Sequence, residues 1–282
     1  MLTSPTREMF EVRRDATAQP LQLTVILGDP GAPALYVLDA GFLLDVTAGV
    51  MSMLRTMARL VGEPFPDLTL VGIGYPTDDP GQIFALRARD LTPTRGQLTT
   101  AMNLPPLDFG GAEEFLCTVV DEVVPAVEAR YEVDGVRRGL AGFSFGGLFG
   151  MYTLLHRPDS FSDYLMGSPS LWWDDGLPLV WEEEWAAKHA DLAAQVFLWV
   201  GSNEQLIGDS WKNERFPLSV LQRLAQVDRV QDLAQRLDAR RYPSLRVDCT
   251  VLDGEYHLTA PAAGLTRGLL AAFERDDARF GR

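Results

Sequence analysis

Leu140-Ala141-Gly142-Phe143-Ser144-Phe145-Gly146-Gly147 is the stretch that decides how this chain folds. It places G-x-S-x-G between an apolar run, Arg138–Phe143, and a segment of helical character, Gly147–Leu155. Between a strand and a helix that spacing has a physical cause. The turn is so tight that the serine adopts a strained backbone, and glycines two residues before and after it relieve the crowding. The Ser144 hydroxyl then projects from the carboxyl edge of a sheet. The Phe145 amide faces the same space from the helix N-terminus. Such glycines would also suit a turn whose serine only caps the helix. The strand–turn–helix context, with Gly147 letting the helix approach the sheet, favours a reactive serine.

Outward from this turn, strands and helices alternate. Leu21–Leu27, Ala34–Leu38, Leu68–Ile73, Asp163–Met166, Val196–Val200 and Leu245–Leu252 read as strands, several of them apolar on both faces. Val46–Val61, Ala112–Tyr131, Leu179–Ala193, Leu218–Ala239 and Ala260–Phe273 read as helices. Glu11–Arg14, joined to Leu21–Leu27 by a short polar link, suggests an antiparallel pair at the N-terminus. Thr77–Gly111 reads as a long irregular section near the site. The expected class is α/β, with a mainly parallel central sheet flanked by helices, in one domain over residues 1–282.

Composition narrows what such a domain can do. Hydrophobic residues make up 46% and charged residues 23%, which excludes a disordered chain. The net charge of −14 repels phosphate backbones and anionic lipids, so neither nucleic acid nor membrane is an expected partner. The apolar residues 32–54 are interrupted by Asp39-Ala40-Gly41, and each half is shorter than the ~20 residues a membrane span needs. A buried strand, a turn and a helix fit them better. Residues 1–20 carry six charges from Arg7 to Asp15 and no apolar core, so no signal peptide is read and a cytoplasmic location is expected. Cys117 and Cys249 lie in apolar stretches outside any CxxC spacing and read as buried free thiols; their spacing does not require a disulfide. There is no HxH or HExxH, so no metal and no cofactor is expected.

A serine hydroxyl needs a base at neutral pH. In a sheet of this kind the chain order is serine, acid, histidine. Three histidines follow Ser144. His156 lies about three turns along the helix that starts at the serine, too far to bend back. His189 falls in a charged helix and reads as solvated. His257 follows the last strand, where the base belongs. The acid should follow the preceding strand, Val196–Val200; Glu204 fits that place, with Asp209 as the second choice. A second donor to a developing oxyanion should come from the loop after Ala34–Leu38, at the Gly41 or Phe42 amide, although Gly41 could equally serve only the turn.

These residues bring out a family resemblance. Val37-Leu38-Asp39, Val71-Gly72-Ile73-Gly74-Tyr75-Pro76, Arg87-Ala88-Arg89-Asp90-Leu91-Thr92-Pro93, Gly110-Gly111-Ala112, Gly167-Ser168-Pro169-Ser170-Leu171-Trp172-Trp173 and Gly254-Glu255-Tyr256-His257 occur in this order. With the serine turn they resemble the putative esterase family of α/β-hydrolases, and most of all its siderophore-esterase branch. The resemblance implies an α/β-hydrolase fold and a small-molecule ester substrate. It also implies Ser144 and His257 as reacting pair with Glu204 as acid. Phe143 stands where many relatives carry a histidine, a slot that is not catalytic. Trp172 and Trp173 would line an acyl or aromatic pocket, or pack in the core or rim. Arg87 is a further pocket candidate, although Arg87 and Asp90 could instead pin the long loop by an ion pair. Two other activities share this framework: acyl transfer to an alcohol, and an inert binding module.

Overall fold

The structure is a computed structural model that describes residues 6–13, 19–62, 65–95, 107–205 and 222–274. Its centre is an eight-stranded sheet in the order β1-β2-β4-β3-β5-β6-β7-β8. The strands are β1 (Arg7–Val12), β2 (Leu21–Ile26), β3 (Ala32–Leu38), β4 (Thr69–Gly74), β5 (Val133–Phe143), β6 (Asp163–Gly167), β7 (Ala194–Gly201) and β8 (Leu245–Leu252). β2 runs antiparallel to both neighbours, β1 and β4. From β4 to β8 every pairing is parallel.

The near-continuous apolar strands divide by parity, because successive side chains point to opposite faces. On β3, Ala34, Tyr36 and Leu38 enter one core while Leu35 and Val37 enter the other. On β7, Val196, Leu198 and Val200 face the first core and Phe197 and Trp199 the second. The second core is closed by α1 (Ala40–Val61). The first core is covered by α3 (Ala112–Thr118), its continuation α4 (Val124–Arg130), and α5 (Phe145–His156). A π-turn at Val119–Val123 joins α3 to α4. Farther along the chain, α6 (Leu177–Lys188) and α7 (Gln226–Arg240) complete the first layer, and α8 (Ala260–Leu269) joins α1 on the second. From Phe145 to Leu155 every residue of α5 is buried, as its central position demands.

Several expectations need correction. The section from Thr77 is not irregular throughout, since α2 spans Pro80–Asp90. Its start is capped in the ordinary way. The Asp79 side chain accepts from the Gln82 amide at 2.7 Å, and Pro80 fills the first helical position. The helix after β3 begins at Ala40 rather than Val46, because Asp39 takes a left-handed conformation (φ 55°, ψ 48°) and turns the chain at once. Cys249 is exposed on the edge strand β8 and Cys117 half-buried, so neither is a fully buried thiol. No helix of the described residues is long and apolar enough to cross a membrane.

Candidate active site

Ser144 sits between β5 and α5 with φ 60° and ψ −113°, a conformation a side chain occupies only at a cost of about 1–3 kcal/mol. Neighbouring backbone holds it there. Its amide donates to the Gly167 carbonyl at 2.9 Å, and its carbonyl accepts from Leu148 at 2.9 Å and Ser170 at 3.2 Å. The flanking glycines are required by space. A Cβ on Gly142 would lie 2.4 Å from the Gly146 carbonyl oxygen, and one on Gly147 would lie 2.9 Å from the Pro169 Cα. Phe145 is the first residue of α5, so its amide belongs to the helix end beside the serine.

Sheet order brings the other two groups to this edge. β7 ends at Gly201 and a short 3₁₀ turn, Ser202–Glu204, follows. The Glu204 side chain is 2% exposed, and its Oε2 lies 2.6 Å from Nδ1 of His257. Its Oε1 accepts from the Gly201 amide at 2.8 Å and from the Ser168 hydroxyl at 2.5 Å. A carboxylate can only accept, so the imidazole carries its proton on Nδ1 and leaves Nε2 as a base. The His257 side chain is 45% exposed, open to a ligand where its partner is sealed. Its ring lies 4.7 Å from the Phe143 ring, directly before the serine.

The loops that carry Glu204 and His257 are tied to each other. The Asn203 amide donates to the Glu255 carbonyl at 3.0 Å, and its Nδ2 to the Gly254 carbonyl at 3.0 Å. The Gly254 amide donates to the Ser202 hydroxyl at 2.9 Å. A Cβ on Gly201 would come within 2.3 Å of the Glu255 carbonyl oxygen. Asp209 lies outside the described residues. The other histidines are elsewhere: His156 ends α5, stacked on Tyr152 at 3.9 Å, and His189 is exposed and stacked on Trp185 at 3.7 Å.

The loop after β3 faces the serine turn. The Phe42 amide donates to the Asp39 carbonyl at 3.0 Å, so it is engaged in the first turn of α1. That leaves Gly41 of the two amides expected here. Arg87 does not point to a ligand. Its guanidinium grips the buried Asp39 carboxylate at 2.8 and 2.9 Å and lies 5.3 Å from the Phe145 ring centroid. Burial alone would lower the Arg87 pKa, but attraction and hydrogen bonds from Asp39 outweigh it and the net direction is up. Asp90 instead pairs with Arg89 at 2.6 Å. Trp173 is fully buried and is core, not pocket wall. Its indole N–H donates to the Thr94 hydroxyl at 2.8 Å, and its ring meets Phe109 and Phe145. Trp172 is half-buried, 6.4 Å from Phe145. The roles of Asp39 and Ser168 carry no local sequence signal beyond their places in Leu38-Asp39 and Gly167-Ser168-Pro169.

A parallel sheet with two antiparallel strands at its start, a strained serine after the central strand and helices on both faces define an α/β-hydrolase of the esterase type. The chain belongs to the Putative esterase family, whose model matches residues 31–246. It is therefore a carboxylic ester hydrolase by family. It is 32% identical over 254 residues to the siderophore triacetylfusarinine C esterase of Aspergillus fumigatus, covering 86% of this chain and 82% of that one. It is 27% identical over 261 residues to the ferri-bacillibactin esterase BesA of Bacillus subtilis, covering 87% and 80%. Among solved structures, the siderophore hydrolase EstA of Aspergillus nidulans superposes with a TM-score of 0.80 over 95% of this chain and 94% of that one. At 24% identity that likeness speaks for the fold.

Proposed function

We propose that the chain is a serine esterase acting through an acyl-enzyme, with Ser144 as nucleophile, His257 as base and Glu204 as the acid that orients it. The observation that carries this reading is the 2.6 Å contact between Glu204 and His257 Nδ1, set beside the strained serine turn. Ser144 Oγ attacks the ester carbonyl while Nε2 of His257 takes its proton. The amides of Phe145 and Gly41 receive the developing oxyanion. The imidazolium returns the proton to the departing alcohol, and water repeats the sequence to free the acid. Glu204 keeps the imidazole in its reactive tautomer. Trp172 contributes to the wall beside the acyl group, and residues 1–282 act as one domain.

The relatives act, by their names, on siderophore esters, and we infer a small ester of that kind here. The net charge of −14, with Arg87 committed to Asp39, favours a substrate without a large negative charge.

The test is labelling with a fluorophosphonate probe, which reacts only with an activated serine. One label per folded chain is expected, lost in Ser144→Ala and slowed in His257→Ala. A folded wild type that takes no label would sink the reading in favour of an inert module. Glu204→Ala is expected to keep the nucleophile but lower kcat on an aryl ester by about 10²–10⁴. Unchanged turnover in that variant would remove Glu204 from the triad.

A further inference from the structure

We propose that Ser168 is a positioning residue for the acid of this site, its hydroxyl fixing one oxygen of Glu204 so that the other is aimed at His257. The inference rests on Glu204 serving as that acid.

Ser168 follows β6 and is fully buried. It takes φ 38°, in the left-handed region that a non-glycine residue enters only at a cost. The chain enforces this conformation from both sides. The Ser168 amide donates to the Trp199 carbonyl at 2.7 Å, and Pro169 follows directly. A glycine would meet the same backbone demand without strain. What serine adds is a hydroxyl, and that hydroxyl donates to Oε1 of Glu204 at 2.5 Å.

Glu204 stands at the end of a three-residue turn, and its bond to the Gly201 amide of that same turn, taken alone, would leave the carboxylate a pivot about Oε1. A buried carboxylate also needs donors to replace the water it has lost. Oε1 finds two: the Gly201 amide from β7 and the Ser168 hydroxyl from the end of β6. Donors on two neighbouring strands fix both the position and the tilt of the carboxylate. Oε2 is then left with His257. Because β6 also supplies the Gly167 carbonyl that holds the Ser144 amide, nucleophile and acid are registered to the same strand end. A change at Ser168 therefore acts on the reaction through Glu204 and touches no substrate atom.

The experiment is a double-mutant cycle on the full chain, read as kcat and KM on an aryl ester. Ser168→Ala and Ser168→Gly both delete the hydroxyl, and the glycine variant also relieves the positive φ, so it is the form least able to fail by misfolding. Each is expected to lower kcat by about 10- to 100-fold, the range for losing a hydrogen bond to a charged group, with KM within about twofold of wild type. In a Glu204→Ala background the same changes should have no further effect, because the group they act through is gone. Wild-type kcat in Ser168→Gly would overturn the proposal. So would an equal loss in both backgrounds, which would mark a packing role independent of the acid. Wild-type activity in Glu204→Ala alone would instead overturn the assignment of the acid, so the two failures are distinguishable.

Discussion

Replacing Ser144 by alanine is expected to lower kcat by about 10³–10⁶ while leaving the fold intact. The size follows from the role proposed for the hydroxyl. Without it no acyl-enzyme forms, and only water attacking within the oxyanion hole remains. The fold should survive because the backbone around residue 144 holds itself. The amide bond to Gly167 and the carbonyl bonds from Leu148 and Ser170 do not involve the side chain. Alanine has the same φ preference as serine, so the strain stays where it is. The unfolding midpoint should not drop while turnover of a simple aryl ester collapses. A variant that hydrolyses the ester at the wild-type rate would show that the nucleophile is another residue.

The largest stability effect is expected at Arg87→Met. This change removes the guanidinium but leaves Asp39, whose side chain is 2% exposed, with its charge inside the protein. Breaking one partner out of a buried pair costs about 3–5 kcal/mol, more than the intact pair is worth relative to an apolar replacement. For a chain of this size that is a fall in midpoint of roughly 10 °C. The double variant Asp39→Leu with Arg87→Met should recover much of the loss, since no charge is then stranded. Activity should fall along with stability, because Asp39 sits in the left-handed turn that leads to Gly41, and Arg87 rests on the Phe145 ring. The pair thus braces both proposed oxyanion donors at once. An Arg87→Met chain as stable as wild type would mean that Asp39 is satisfied by other groups.

The serine turn and the place of His257, the proposed base, were legible because each depends on a few consecutive residues or on chain order. Gly142 relieves crowding within the serine turn itself, and His257 follows the last strand of an alternating pattern. Glu204 was legible for the same reason, one turn beyond β7. The helix Pro80–Asp90 had a local signal in Asp79-Pro80, but its polar, weakly periodic surface hides it from a reading based on apolar spacing. Trp173 could not be assigned to core or pocket from its own neighbours. Its burial is decided by Phe109, Phe145 and Thr94, which other elements deliver. Cys249 looks buried within an apolar strand, yet that strand is the last in the sheet and has one open edge.

Alternation of apolar runs, the elbow glycines and the order Ser144, Glu204, His257 are properties of the linear chain, and they were enough for the α/β-hydrolase class and for the residues proposed to react. Which side chains support those residues was decided by the sheet. Asp39 meets Arg87 across 48 positions, and Ser168 meets Glu204 across 36. Such pairs form only once strand order places β4, β3, β5, β6 and β7 side by side, and no local preference of either residue encodes its partner.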